Sequence, residues 1–244
     1  MIMIKEILLA VIQAATEFLP VSSSGHLALV SNLISQPDIF FFTVLHIASL
    51  AAVIIFTRKE IIYLISFNKE YRKLWIYLIV ATVPAAAFGF FFNDMVERAF
   101  SSILFIGVAF IFTGSILFLT RFSRTRAELN VRNSLIIGLA QVLALFPGIS
   151  RSGMTISSAL LAGIKREEAA KFSFLLFIPL SLGAFILESG KVFYFDLSLA
   201  VAFFVCLVLS LVFLNLLFFV VKKGKFWMFA IYCFIIGLTS LLLR

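Results

Sequence analysis

Apolar residues fill long blocks of this chain, and short polar breaks separate them. Blocks 40–56, 75–92, 102–119, 169–187, 197–221 and 226–243 are of membrane-spanning length. A helix needs roughly 20 apolar residues to cross a hydrocarbon core of about 30 Å, so each block predicts one crossing. Pro84 and Pro179 lie inside two of them and predict kinks. Other apolar stretches are too short to cross. Residues 7–18 stop before Pro20, and a helix of that length extends only about 18 Å. Residues from about 24 to 33, 134–146 and 152–163 are similarly brief. They predict two re-entrant helix pairs, each entering the membrane, turning at mid-depth and leaving by the same side. Irregular backbone at that depth is tolerated only where protein or water satisfies it. Ser22, Ser23, Ser24 and Gly25 suit one such turn, and Pro147-Gly148 the other.

Basic residues set the orientation. Taken in alternation, one side receives Arg58, Lys59, Lys69, Arg72 and Lys73, then Arg121, Arg124, Arg126 and Arg132. The same side receives Lys165, Arg166 and Lys171, then Lys222, Lys223 and Lys225. The other side holds Lys5, Arg98, Lys191 and Arg244. The richer side is predicted to be cytoplasmic, which puts both termini outside and opens the first re-entrant pair to the outer face. Each half is then one re-entrant pair plus three spans. An odd number of crossings inverts the second half relative to the first. The expected fold is an all-α polytopic membrane protein of six transmembrane helices and two re-entrant pairs. It forms a single membrane domain, 1–244, with repeat one over about 1–121 and repeat two over about 131–244. Inverted repeats place their broken helices face to face near the midplane.

Composition narrows the class further. Hydrophobic residues make up 63% and charged residues 13% of the chain, more apolar surface than a soluble domain of this size could hide. The net charge of +8 is accounted for by cytoplasmic loops, and no nucleic-acid partner is expected. Cys206 and Cys233 fall in different apolar blocks and form no disulfide or metal pattern. No basic leader with a small-residue cleavage site is evident at the N-terminus.

The chemistry concentrates at the two turns. Residues 13–26 read Gln-Ala-Ala-Thr-Glu-Phe-Leu-Pro-Val-Ser-Ser-Ser-Gly-His, and residues 141–153 read Gln-Val-Leu-Ala-Leu-Phe-Pro-Gly-Ile-Ser-Arg-Ser-Gly. Superposed without a gap, Gln13 meets Gln141, Phe18 meets Phe146, Ser22 meets Ser150, Ser24 meets Ser152 and Gly25 meets Gly153. At the odd place, Ser23 meets Arg151. Glu17 is a carboxylate on an apolar helix, costly there and therefore a functional candidate. Gln13, one turn earlier, shares its face. His26 directly follows the turn and is a candidate acid, base or nucleophile. His46 lies in a span, has Phe174 as its counterpart, and reads as an interhelical hydrogen bond. In the second turn Arg151 offers a planar fork of donors. With Gly148, Ser150, Ser152, Gly153 and the start of a helix it makes a phosphate cradle. The two turns are expected to meet and form one site for an anionic substrate.

Gln13-x-x-x-Glu17 followed by Phe-Leu-Pro-Val-Ser-Ser-Ser-Gly-His, with Pro-Gly-Ile-Ser-Arg-Ser-Gly-Met-Thr downstream, resembles the undecaprenyl pyrophosphate phosphatase family. These are the bacitracin-resistance proteins of bacterial inner membranes, and the likeness covers essentially the whole chain. The family motif carries Glu or Gln at its first position; here it is Gln13, so Glu17 is the only ionisable residue of the pair. The resemblance implies a metal-assisted phosphatase acting on a polyprenyl pyrophosphate lipid at the outer face, with Mg2+ or Ca2+ as cofactor. It implies that Glu17 and Gln13 belong to the metal- or nucleophile-activating motif and that Ser23 is a candidate nucleophile. It makes His26 an acid/base or rival nucleophile and Arg151 the pyrophosphate ligand, supported by Ser22, Ser24, Gly148, Ser150, Ser152, Gly153 and Thr155. Whether Ser23, His26 or water attacks stays open, as does oligomeric state, a homodimer included. A lipid-carrier flippase is the alternative, because inverted repeats with broken helices are also a transporter plan.

Overall fold

The structure, a computed structural model, describes residues 2–30, 39–66, 72–188 and 196–242. Among them the chain forms twelve α-helices and no strand beyond an isolated bridge between Ala127 and Ile164. The first half contains α1 (Ile2–Phe18), α2 (Ser23–Val30), α3 (Ile39–Phe56), α4 (Arg58–Ile65), α5 (Arg72–Phe91), α6 (Asn93–Phe100) and α7 (Ile103–Leu119). The second contains α8 (Val131–Leu143), α9 (Arg151–Leu161), α10 (Arg166–Glu188), α11 (Leu197–Lys222) and α12 (Phe229–Leu242). Polar residues just ahead of apolar blocks fix where several of these begin. Ser102, Asn130, Ser150 and Asp196 each accept a hydrogen bond from a backbone N–H in the first turn of α7, α8, α9 and α11.

Helices α5, α10 and α11, and α7 together with the 3-10 turn Thr120–Phe122 that continues it, are long and apolar enough to cross a membrane. The predicted span 40–56 forms α3, but the chain then turns by 73° into α4, which the sequence analysis treats as a polar break. The bend is held by the Trp75 indole N–H donating to the Leu64 carbonyl at 3.0 Å and by a Lys171–Glu60 ion pair of 2.7 Å. The block 226–243 begins with a 3-10 turn over Phe226–Met228, so α12 is shorter than a full span. Helix α1 starts five residues before the expected 7–18 and is about 25 Å long, still under the bilayer core. Helix α6 is a further element, where the pattern of apolar blocks predicts only a connection. The expected end of the second short helix at Leu33, the basic residues Lys69, Lys191 and Arg244, and Leu243 lie outside the described residues.

Close helix contacts are made through small residues, as expected where lipid offers no hydrophobic drive to association. Helix α7 packs along α12 where Gly107 faces Leu241 and Gly237, and Gly114 faces Phe234 and Ala230. Helix α8 packs along α5, where a Cβ on Gly138 would lie 2.7 Å from the Ala81 carbonyl oxygen. Helix α1 lies along α11. The main core cluster joins Phe18 and Val21 of the first turn to Ile156 and Leu160 of α9 and to Phe172, Leu176 and Phe177 of α10. Longer helices pack against the two short segments that carry the polar motifs, α7 against α2 and both α7 and α10 against α9, which holds their irregular backbone in protein rather than lipid.

Candidate active site

The two turns meet through their glycines. A Cβ on Gly25 would sit 2.8 Å from Gly148 Cα and 2.9 Å from Gly148 N, so only glycine permits this approach. On the other side Gly153 faces Pro20, 3.5 Å from its Cβ. Gly148 has φ of +88° and packs its α-carbon against Ile106 and Ala109 of α7. Ser22 is also left-handed, with φ of +63°. The two turns share one hydrogen-bond scheme: Gly25 N–H donates to Ser22 Oγ at 3.3 Å, and Gly153 N–H donates to Ser150 Oγ at 3.1 Å. Ser22 and Ser24 Oγ are 3.3 Å apart, as are Ser150 and Ser152 Oγ. Ser152 also donates to the Phe18 carbonyl at 2.9 Å, stitching one turn to the other.

Glu17 is the hub of the site and is 8% exposed. Its Oε1 pairs with Arg151 Nη2. Its Oε2 accepts from Ser23 Oγ at 2.8 Å and from Gln13 Nε2 at 3.0 Å. His46 Nε2 lies 3.6 Å from the same oxygen. Arg151 stacks its guanidinium 4.0 Å above the centre of the Phe177 ring and directs Nη1 to Ser181 Oγ at 3.5 Å. Thr113 of α7 supports the arginine turn, donating to the Gly148 carbonyl at 2.9 Å and accepting from Ser150 N–H at 3.4 Å. The Gln13 carbonyl oxygen Oε1 is buried without a hydrogen-bond partner, an acceptor left over beside a carboxylate. Among the described residues no group of three or more His, Cys, Asp or Glu side chains converges on one point. Any cation here would be held by Glu17 and neutral oxygens.

A cavity of about 420 Å3 opens over this cluster. Glu17, Ser22, Ser23, Ser24, Ser150 and Arg151 line its polar end. Those six predicted residues are brought together. Gln13 lies behind Glu17 rather than on the wall. Gly148, Ser152, Gly153 and Thr155, expected as pyrophosphate ligands, hold the turns instead; Thr155 bonds the Arg151 carbonyl at 2.9 Å and Ser173 Oγ at 2.6 Å.

The two histidines reverse their expected places. His26 does not line the cavity. Its Nδ1 lies 2.8 Å from the Ser22 carbonyl oxygen and its Nε2 2.7 Å from Tyr232 Oη on α12, with Phe110 edge-on to the ring. His46, read from sequence as an interhelical bond, turns Nδ1 back on its own helix to the Phe42 carbonyl at 2.9 Å. That leaves Nε2 for Glu17 and the cavity. Sequence reasoning also missed Thr16, Thr43, Ser181 and Phe177. The one signal available for His46 was that an imidazole in an apolar span is costly enough to suggest a partner.

These features define a multi-pass helical membrane protein with a carboxylate–arginine–serine cluster buried where two glycine-packed turns meet. The profile of the family described as Bacitracin resistance protein BacA matches residues 6–239. The chain belongs to this family. It is 44% identical to the undecaprenyl-diphosphatase of Thermosipho africanus, over 96% of this chain and 97% of that protein. It is 40% identical to the one of Methanococcus vannielii over the same shares, and 36% to that of Korarchaeum cryptofilum, again over 96% and 97%.

Proposed function

We propose that this protein is an integral membrane phosphatase that converts undecaprenyl diphosphate to undecaprenyl phosphate and inorganic phosphate. The observation that carries the reading is Ser23 Oγ hydrogen-bonded at 2.8 Å to Glu17, whose other oxygen pairs with Arg151. A hydroxyl beside a base and next to a fixed cation is the arrangement that nucleophilic attack on phosphorus requires. Ser23 Oγ attacks the terminal phosphorus while Glu17 takes its proton. The bond from that phosphorus to the bridging oxygen breaks, and the prenyl monophosphate leaves. Water then attacks the phosphoserine phosphorus and its proton goes to the phosphate. The bond from phosphorus to Ser23 Oγ breaks, and Glu17 returns its proton to that oxygen, restoring the hydroxyl and the carboxylate and releasing phosphate. Arg151 binds the diphosphate and offsets the charge that gathers on its oxygens. The pairing with Glu17 keeps that cation aimed at the polar end of the cavity. Full relatives named for this activity support the substrate assignment.

A divalent ion, Mg2+ or Ca2+, fits beside Glu17. Gln13 Oε1 is a buried acceptor without a partner, on the same amide that donates Nε2 to Glu17 Oε2 at 3.0 Å. Glu17 and Gln13 would hold the ion, which neutralises phosphate charge; hard cations of this kind take their remaining ligands from substrate phosphates and water.

The inverted repeat of six spans and two re-entrant pairs is supported by reciprocal contacts. Gly25 touches Gly148 and Gly153 faces Pro20, which are equivalent pairs under the sequence superposition. The site opens to the outer face of the cytoplasmic membrane: the cavity wall includes Val96, Phe100, Ala184 and Phe185, from the segments on the side poor in Lys and Arg. Recycling the lipid carrier there supports cell-wall synthesis and confers bacitracin resistance. The test is phosphate release from undecaprenyl diphosphate by purified protein in detergent, where transport has no meaning. Wild type should turn over and Ser23→Ala should lose at least about a hundredfold. Turnover in Ser23→Ala near that of wild type would assign the attack to water or another residue.

A further inference from the structure

The cavity over Glu17 and Arg151 is not wholly polar. Its other end is walled by Val96 and Phe100 of α6, Leu145 of the second turn, and Leu180 and Phe185 of α10. At about 420 Å3 it is of the size that encloses a small organic ligand, more than a diphosphate alone fills. Helix α6 is unusual among the elements that form this wall. It has no buried residue, yet its sequence is sharply two-faced. Phe92, Met95, Val96, Ala99 and Phe100 recur at helical spacing on one side, and Asn93, Asp94, Glu97 and Arg98 occupy the other. That pattern belongs to a helix lying in a membrane interface rather than crossing it. Val96 and Ala99 lean on the cluster of Phe146, Ile149 and Met154, which underlies the arginine turn. Phe92, Met95 and Phe100 remain 51%, 56% and 41% exposed.

We propose that α6 is the wall that grips the first isoprene units of the substrate, and so selects prenyl diphosphates over other diphosphates. The assignment rests on the phosphatase reading and extends it to the carbon end of the same site. The occupant follows from continuity. The diphosphate lies at Glu17 and Arg151, so the carbon bonded to it must leave along an apolar part of the cavity wall. Ile47 and Leu50 of α3 also line the cavity, but Leu50 is buried in the core, whereas Phe100 of α6 is left exposed. Phe100 offers a flat apolar face there without being needed for the protein core. Because α6 packs on the arginine turn, tail and headgroup recognition share one rigid support. The rest of a long polyprenyl chain runs past α6 into lipid.

The experiment uses the full-length protein in detergent with farnesyl diphosphate as substrate and inorganic pyrophosphate as competing headgroup. Phe100→Ala should raise KM for farnesyl diphosphate about tenfold, some 1.4 kcal/mol of lost contact, with kcat within about twofold. The inhibition constant of inorganic pyrophosphate should not move, because it carries no tail. Phe100→Leu, which restores an apolar wall, should return KM to within about threefold of wild type. The proposal is overturned if KM in Phe100→Ala is unchanged. It is also overturned if KM and the pyrophosphate inhibition constant rise together, or if wild type hydrolyses undecaprenyl diphosphate and not farnesyl diphosphate. A wild type inactive on both lipids would refute the phosphatase reading itself, a result that no KM ratio among variants can mimic.

Discussion

Glu17→Gln removes one charge and almost no volume, and the structure fixes what that change exposes. Glu17 is the counter-ion of Arg151, whose side chain is 24% exposed. Breaking a buried pair by neutralising one partner costs about 3–5 kcal/mol. The exposure of Arg151 to the cavity moves the expectation below that range, to about 2–3 kcal/mol. The glutamine still accepts from Ser23, so that geometry survives, but it no longer takes a proton. Loss of a positioned base costs roughly 10²–10⁴ in rate. Two readouts therefore move together: phosphate release from undecaprenyl diphosphate falls by at least about a hundredfold, and unfolding in detergent shifts to lower denaturant. A third readout separates electrostatics from misfolding. An added anion can replace the missing carboxylate beside Arg151, so inorganic pyrophosphate should stabilise the variant more than it stabilises wild type. A folded Glu17→Gln protein that releases phosphate within tenfold of wild type would refute Glu17 as the base. A variant that pyrophosphate stabilises no more than wild type would refute the pairing as the structure draws it.

Other perturbations address the parts around that pair. His46→Ala removes the ring nitrogen 3.6 Å from Glu17 and should lower kcat about tenfold, with KM changed less, in the same phosphate-release assay; a larger change in KM than in kcat would make His46 a binding residue instead. Gly25→Ala places a Cβ 2.8 Å from the Gly148 backbone, so the two turns must part. The overpacking should cost about 1–3 kcal/mol in detergent unfolding and lower phosphate release at least about tenfold; wild-type behaviour on both counts would mean that the turns do not rely on this contact.

Much of the architecture was legible because it follows from length and polarity. The apolar blocks became helices, and the polar residues ahead of several of them became caps, as at Ser102, Asn130, Ser150 and Asp196. What was missed follows from the limits of periodicity. Helices α4 and α6 are only eight residues each, flanked by charge, and read as connections. The residues that support the arginine, Phe177 and Ser181, come from a helix distant in sequence, and no spacing rule announces them. The placement of the histidines was hidden for a different reason. His26 adjoins the motif along the chain, but a helix that starts at Ser23 carries its ring round to Tyr232. His46 is remote along the chain, but it sits where α3 passes Glu17. Proximity in sequence is a poor guide once the backbone turns.

The sequence correspondence between the two turns also separates scaffold from chemistry. Ser22 with Ser150, Ser24 with Ser152, and Gly25 with Gly153 are identical pairs. In the structure they make equivalent hydrogen bonds that cap and shape each turn. The cavity's charged and nucleophilic groups lie instead at positions that differ. Glu17 stands opposite Leu145, Ser23 opposite Arg151, and His46 opposite Phe174. Two like turns pressed together would present like groups to each other, and two carboxylates or two guanidiniums at that contact would repel in a site largely shut off from water. Placing the acid and hydroxyl on one turn and the cation on the other makes the contact attractive at rest and leaves an anion-binding end when substrate enters. On the proposed reading, the differences between the turns, more than their likeness, suit the junction to a diphosphate.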